Sequence, residues 1–176
     1  MIGDNKFSIS RSVNSVHPIK AERLGPLRAS LLFSDISRRD CARIVSAAVR
    51  RTFARREPLF TEGQEVRSLI FLQSGNVKHT RVSAGGDETL LRISSPGDVV
   101  CVEGLSSIPC HTCSARATQK CRVLVWEHDQ MQKYLAHSPR LGVNVTRILA
   151  VQLNELEERF REGKWSLFAI REASNS

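Results

Sequence analysis

Apolar and polar positions change period twice along this chain. Between residues 26 and 48 they recur at helical spacing. Pro26 opens PLRASLLF, with Leu27, Leu31 and Leu32 on one side. Ile36, Cys41, Ile44 and Val45 make the apolar face of the next segment, RRDCARIVSAA, which follows the cap-type residues Ser34 and Ser37. From residue 49 to 127 the spacing becomes that of short strands. The runs are VRRTFA (49–54), PLFTEG (58–63), SLIFLQSG (68–75), VKHTRVS (77–83), ETLLRIS (88–94), GDVVCVE (97–103), TCSARAT (112–118) and CRVLVWE (121–127). Turn signals separate them at Glu62-Gly63, Gly75, Gly85-Gly86-Asp87, Pro96-Gly97-Asp98 and Ile108-Pro109. Eight such strands predict a mainly β fold, a barrel or jelly roll, with flanking helices. Gly85-Gly86 between two runs predicts a hairpin.

After Trp126 the helical period returns. HDQMQKYLAHS predicts a short helix that ends at Pro139. Residues 138–163 predict one long helix, ~37 Å at 1.5 Å per residue, with Gly163 as its cap. Leu141, Val145, Ile148, Leu149, Leu156 and Phe160 recur along it at helical spacing, with Gln152 and Leu153 between. A helix of this length outruns one small barrel. Its stripe is expected to be a dimer seam, most simply with the same helix of a second copy. Packing against the chain's own barrel is the competing expectation. Both hold if the first turns pack at home and the later ones across a dimer. The organisation expected is a flexible arm at 1–24, a β-roll with N-terminal helices at 25–137, a dimerisation helix at 138–163 and a short tail at 164–176.

Charge adds one feature. The formal net charge of +8 resides wholly in residues 1–56, which hold 12 Lys/Arg against 4 Asp/Glu. A basic segment attracts nucleic acid through phosphate contacts, but no interleaved aromatics offer base stacking, so a solvated tail and helix face are expected. No apolar run approaches the ~18 residues of a membrane span. The N-terminus lacks the apolar stretch of a secretory signal, so a cytoplasmic protein without a membrane partner is expected.

Five cysteines, Cys41, Cys101, Cys110, Cys113 and Cys121, are an odd number, and structural disulfides are not expected. Cys110 and Cys113 form a C-x-x-C, the candidate redox pair. A zinc site ordinarily wants a second close pair, and the remaining candidates, Cys101, Cys121 and His111, are scattered, so no metal is expected. The five histidines lack an H-x-H spacing, and no G-x-S-x-G, P-loop or H-E-x-x-H occurs. The chain is not read as an enzyme.

Three motifs carry a family resemblance. They are Pro58-Leu59-Phe60-Thr61-Glu62-Gly63-Gln64, Leu69-Ile70-Phe71-Leu72-Gln73-Ser74-Gly75-Asn76-Val77 and Ser95-Pro96-Gly97-Asp98. In this order and separation they resemble the sensor half of the Crp/Fnr bacterial regulators, over about residues 27–162. The resemblance implies a cyclic-nucleotide-binding-like β-roll, an effector site inside it, and homodimerisation through the long helix. Family members continue into a helix-turn-helix domain. The sequence stops before one, so DNA is a partner only if that domain is supplied.

The resemblance also implies a phosphate-binding cassette after the Gly-Asp turn. A buried cyclic phosphate needs a fixed cation and several N–H donors. Here Cys101-Val102 stands where the family has Gly-Glu, and Glu103, Gly104 and Leu105 offer a related turn. His111 and Thr112 stand at the Arg-Ser/Thr position, with Cys113 next and Arg116 further on. A neutral imidazole is a weak substitute for guanidinium. The cassette therefore reads as degenerate, a cyclic nucleotide is a doubtful ligand, and no cofactor is singled out. An iron–sulfur cluster is not expected, because residues 1–40 hold no Cys; a haem ligand could come from His79, His111 or Cys113. The alternative to a regulator is a stand-alone cyclic-nucleotide or small-ligand module without DNA binding.

Overall fold

The computed structural model describes residues 27–106 and 108–161. The expected arm at 1–24, Pro26, Gly163 and the tail at 164–176 lie outside them. The strand runs form β1 (Val49–Phe53), β2 (Pro58–Phe60), β3 (Ser68–Ser74), β4 (Val77–Val82), β5 (Glu88–Ser94), β6 (Val99–Cys101), β7 (Ser114–Ala117) and β8 (Cys121–Glu127). They pair into two four-stranded sheets, ordered β1-β8-β3-β6 and β2-β7-β4-β5. Every pairing is antiparallel, and the result is the expected β-roll. The Gly85-Gly86 hairpin joins β4 to β5, closed by the Gly86 and Ser83 amides.

Three strands fall three or more residues short of their runs. β2 stops at Phe60 because Thr61–Gln64 closes a turn, with the Gln64 amide donating to the Thr61 carbonyl at 3.1 Å. β6 stops at Cys101, and Glu103–Leu105 coils into a 3-10 turn. β7 begins only at Ser114. At the β3–β4 turn Gly75 holds φ +91°, and a Cβ there would stand 2.6 Å from the Cys121 sulfur. That turn accepts only glycine.

Helices cover one sheet. α1 (Arg38–Ser46) is capped by Ser37, whose hydroxyl accepts from the Asp40 amide at 3.0 Å. α2 (His128–His137) follows β8, and α3 (Pro139–Arg161) begins with proline at its first position. The continuous helix expected over PLRASLLF does not form. Leu27 and Arg28 are helical, but Ser30 is extended, its hydroxyl donates to the Leu27 carbonyl at 2.6 Å, and Leu31–Phe33 coils separately as a 3-10 turn. A serine that bonds its own preceding turn interrupts the helix.

β3 and β8 are buried on both faces. Leu69, Phe71, Leu124 and Trp126 pack with Phe33, Ile44, Met131 and Leu141 beneath the helices. Ile70, Leu72, Val123 and Val125 face the roll interior with Phe53, Phe60, Val100 and Cys101. Trp126 donates from Nε1 to the Ile44 carbonyl at 2.7 Å, tying β8 to α1. α3 is held by a polar clamp: the fully buried Asn144 amide donates to the carbonyls of Leu32 at 3.1 Å and Ser34 at 2.7 Å.

Asn144→Ala leaves both carbonyls without that donor and should cost about 2 kcal/mol. Exposed Thr146→Ala, two residues along the same helix, should stay within about 0.5 kcal/mol of the parent. Urea unfolding midpoints of the two variants check this. Equal midpoints would show that the clamp does not hold the helix.

Candidate ligand-binding site in the β-roll

The end of β6, the 3-10 turn and the loop into β7 bring the predicted cassette together at one end of the roll. Gly104 fixes the turn. A Cβ there would stand 2.2 Å from the Ser68 carbonyl oxygen, so backbone packs on backbone. His128, at the start of α2, donates from Nδ1 to the Gly104 carbonyl at 2.8 Å. Leu105 is half-buried against the helical core. Val102, Leu105 and Ile108 line one wall of a groove whose other wall is Gly142, Val145 and Leu149 of α3.

His111 is buried, and its ring stacks on Phe60 with centroids 3.8 Å apart and planes 10° from parallel. Its Nδ1 lies 3.7 Å from the Cys101 sulfur. Glu103 is half-buried, yet its Oε2 is out of water and has no hydrogen-bond partner. Thr112 is exposed. Arg116 also points outward, donating to the Arg56 carbonyl at 2.8 Å, because the alternation of β7 buries Ala115 and Ala117 instead.

A second thiol–imidazole pair lies alongside. The Cys113 sulfur is 3.9 Å from Nδ1 of His79, whose Nε2 is 3.0 Å from the Ser94 hydroxyl. His79 also meets the Phe60 ring, at 6.2 Å. Arg92 reaches inward from β5 but donates to the Val100 carbonyl at 2.8 Å. Arg92 is the residue that motif reading did not select; His79 stood only as a possible haem ligand, Cys101 only as a scattered zinc candidate and Phe60 only inside a turn motif. The signal for His79 was present: in VKHTRV it shares the inward period with the buried Val77.

Burial sets the protonation of these groups. It drives the His79 imidazole down to about 3, with the Arg92 charge adding to the effect. It also lowers His111, against the opposing pull of Glu103. Burial and then Glu103 push the Cys101 thiol up to about 12, and the same two causes push Cys113 up to about 11. These are protonated thiols, not poised nucleophiles. Of the expected redox pair, Cys110 is exposed and its backbone pairs antiparallel with that of Glu65, whereas Cys113 is buried beside His79. All five cysteines are free.

The candidate seam on α3 divides. Leu141 and Ile148 are buried against the chain's own core and Val145 is half-buried, so the first turns pack at home. Leu149, Leu153, Leu156 and Phe160 are exposed, Phe160 by 76%. Beyond Ile148 no described residue of the helix is buried.

A two-sheet roll with a cassette loop and a long trailing helix defines a class. The chain belongs to the cyclic nucleotide-binding domain family, whose pattern matches residues 50–138. Its relatives are Crp/Fnr-type regulators. It is 24% identical over 118 residues to the anaerobic regulatory protein of Bacillus subtilis (strain 168), covering 66% of this chain and 50% of that one. It is 24% identical over 131 residues to the cyclic AMP receptor protein of Thermus thermophilus, covering 74% of this chain and 61% of that one. The chain thus spans about half to three-fifths of the length of these relatives. Its fold matches the sensor domain of the transcriptional regulator DNR from Pseudomonas aeruginosa with TM-score 0.66 and 16% identity, covering 78% of this chain and 92% of that one. No described helix is long and apolar enough to cross a membrane.

The buried His79 makes folding pH-dependent. Its value is 6.5 as a free side chain and about 3 when folded, so between these limits only the unfolded chain takes up the proton. Stability is therefore full above 6.5 and falls as pH drops toward 3, by up to about 1.4 kcal/mol per pH unit from this group. His79→Gln removes the ionisation, and its stability should fall less between pH 7 and 5 than the parent's. Urea unfolding at the two pH values reads the difference. Parallel losses would mean that His79 is not held neutral.

Proposed function

We propose that this chain is the homodimeric sensor region of a Crp/Fnr-type transcriptional regulator, and that its roll does not take an ordinary cyclic nucleotide. The observation that carries the dimer is the exposed apolar stripe of α3 beyond Ile148. Leu153, Leu156 and Phe160 at helical spacing are exposed, with Leu149 at the rim of the groove, and they fit the matching helix of a second copy. DNA recognition then belongs to a helix-turn-helix segment joined to this region, and the working compartment is the cytoplasm.

The family's ligand does not suit the interior. A cyclic phosphate needs a guanidinium, and the cassette position holds a neutral imidazole stacked on Phe60. Thr112 and Arg116 point to solvent, and Arg92 is engaged with the Val100 carbonyl. The Glu103 carboxylate would repel a phosphate brought to this turn. The cassette is degenerate in this physical sense, and the signal is of another chemistry.

Light scattering should give a dimer, and Leu156→Lys should give a folded monomer, because a lysine opposite its own symmetry mate costs desolvation and repulsion. A monomeric parent protein would overturn the dimer. Calorimetric titration with cyclic AMP and cyclic GMP should detect no binding tighter than about 1 mM. Micromolar binding of either would restore the nucleotide reading.

A further inference from the structure

The Cys101, Glu103 and His111 side chains converge inside the roll. One ligand atom from each lies within 4.8 Å of the others. We infer that these three residues bind a divalent transition-metal ion of the zinc type. The inference does not depend on the regulator reading, since it rests on donor geometry alone.

The donor set is chemically coherent. Thiolate, imidazole and carboxylate are the three zinc ligands of proteins, and three protein ligands leave an exchangeable fourth position. Cys101 is fully buried and His111 nearly so, which excludes competing water from the protein side. The Glu103 oxygen without a partner is the second, independent observation. A buried carboxylate oxygen with no donor is costly, and a cation between it and the thiol would supply what is missing.

Neighbouring groups are arranged as supports. The Gly104 amide bonds the Cys101 sulfur and favours its charged form. The Phe60 stack fixes the plane of His111. A dication would reverse the local electrostatics that keep the Cys101 thiol protonated, because a coordinating thiol ionises. Cys101 and Glu103 come from the end of β6 and the 3-10 turn that follows it, and His111 from the loop before β7, so a bound ion would tie that loop to the turn. Cys110 is exposed and takes no part.

The test begins with the metal content of the full chain purified without chelators. About one zinc per chain is expected. Cobalt added to the metal-free protein under reducing conditions should give a thiolate-to-cobalt charge-transfer band. Cys101→Ser should abolish the band, and Cys110→Ser and Cys41→Ser should keep it. Glu103→Gln leaves the thiol and ring in place, and should weaken cobalt affinity by about tenfold or more. It serves as the second variant if Cys101→Ser fails to fold. The site is overturned if the parent gives no thiolate band. It is equally overturned if the band survives Cys101→Ser, disappears with Cys110→Ser, or titrates in Glu103→Gln as in the parent.

Discussion

The rest of this structure depends on β3 and β8 being buried on both faces. Antiparallel sheets commonly leave one face to solvent, and this pair cannot. Leu69, Phe71, Leu124 and Trp126 need the helices, while Ile70, Leu72, Val123 and Val125 need the opposite sheet. A slip of one residue in either strand would exchange the two sets. The helical layer and the roll are therefore fixed in relation to each other by the same fourteen-residue strand pair. Trp126 carries the linkage into a hydrogen bond, since its indole donates to the last turn of α1.

The same constraint positions the cassette. β8 runs directly into α2, which puts His128 against the Gly104 carbonyl. β3 lies beneath that glycine so closely that no side chain fits between. The 3-10 turn is thus held from two directions. On its roll side stand Cys101 and Glu103, beside His111. On its helix side Val102 and Leu105 form a groove with Val145 and Leu149 of α3. One short segment forms a wall of both places. The roll interior and the seat of α3 therefore share a packed wall. Contiguous packing of this kind is the physical requirement for coupling, and the coupling itself is an equilibrium between two arrangements.

Much of this was legible in the sequence. The eight successive strands, the hairpin at Gly85-Gly86 and the long helix followed from period and turn residues, because those signals are local. The family likeness followed from three turn motifs, whose glycines answer to backbone geometry. What failed was equally physical. PLRASLLF reads as one helix until Ser30 bonds back to Leu27. The stripe on α3 left open whether it packs at home or on a partner, and the structure divides it, with Leu141 and Ile148 in the chain's own core and Leu149 onward exposed. Spacing defines a face, and only the tertiary fold says how far along the helix that face is covered. The cassette was located, but Cys110-Cys113 drew attention as a motif while the closer thiol neighbour of His111 is Cys101, ten residues away.

The interior of the roll has a sign. Two thiol–imidazole pairs, Cys101 with His111 and Cys113 with His79, flank the Phe60 ring, which touches both histidines. Burial keeps both imidazoles from charging and both thiols from ionising. The polar atoms there are thus neutral, and Glu103 is the acidic group that acts on Cys101, Cys113 and His111 alike. The guanidinium of Arg92 acts on the His79 and Cys113 side and is occupied by the Val100 carbonyl. An anion entering at the turn would meet a carboxylate and two rings that resist protonation. A cation would meet the carboxylate, a thiol able to ionise against it and an imidazole lone pair. The local charge at this turn thus comes from a carboxylate, with the imidazoles beside it held neutral by burial.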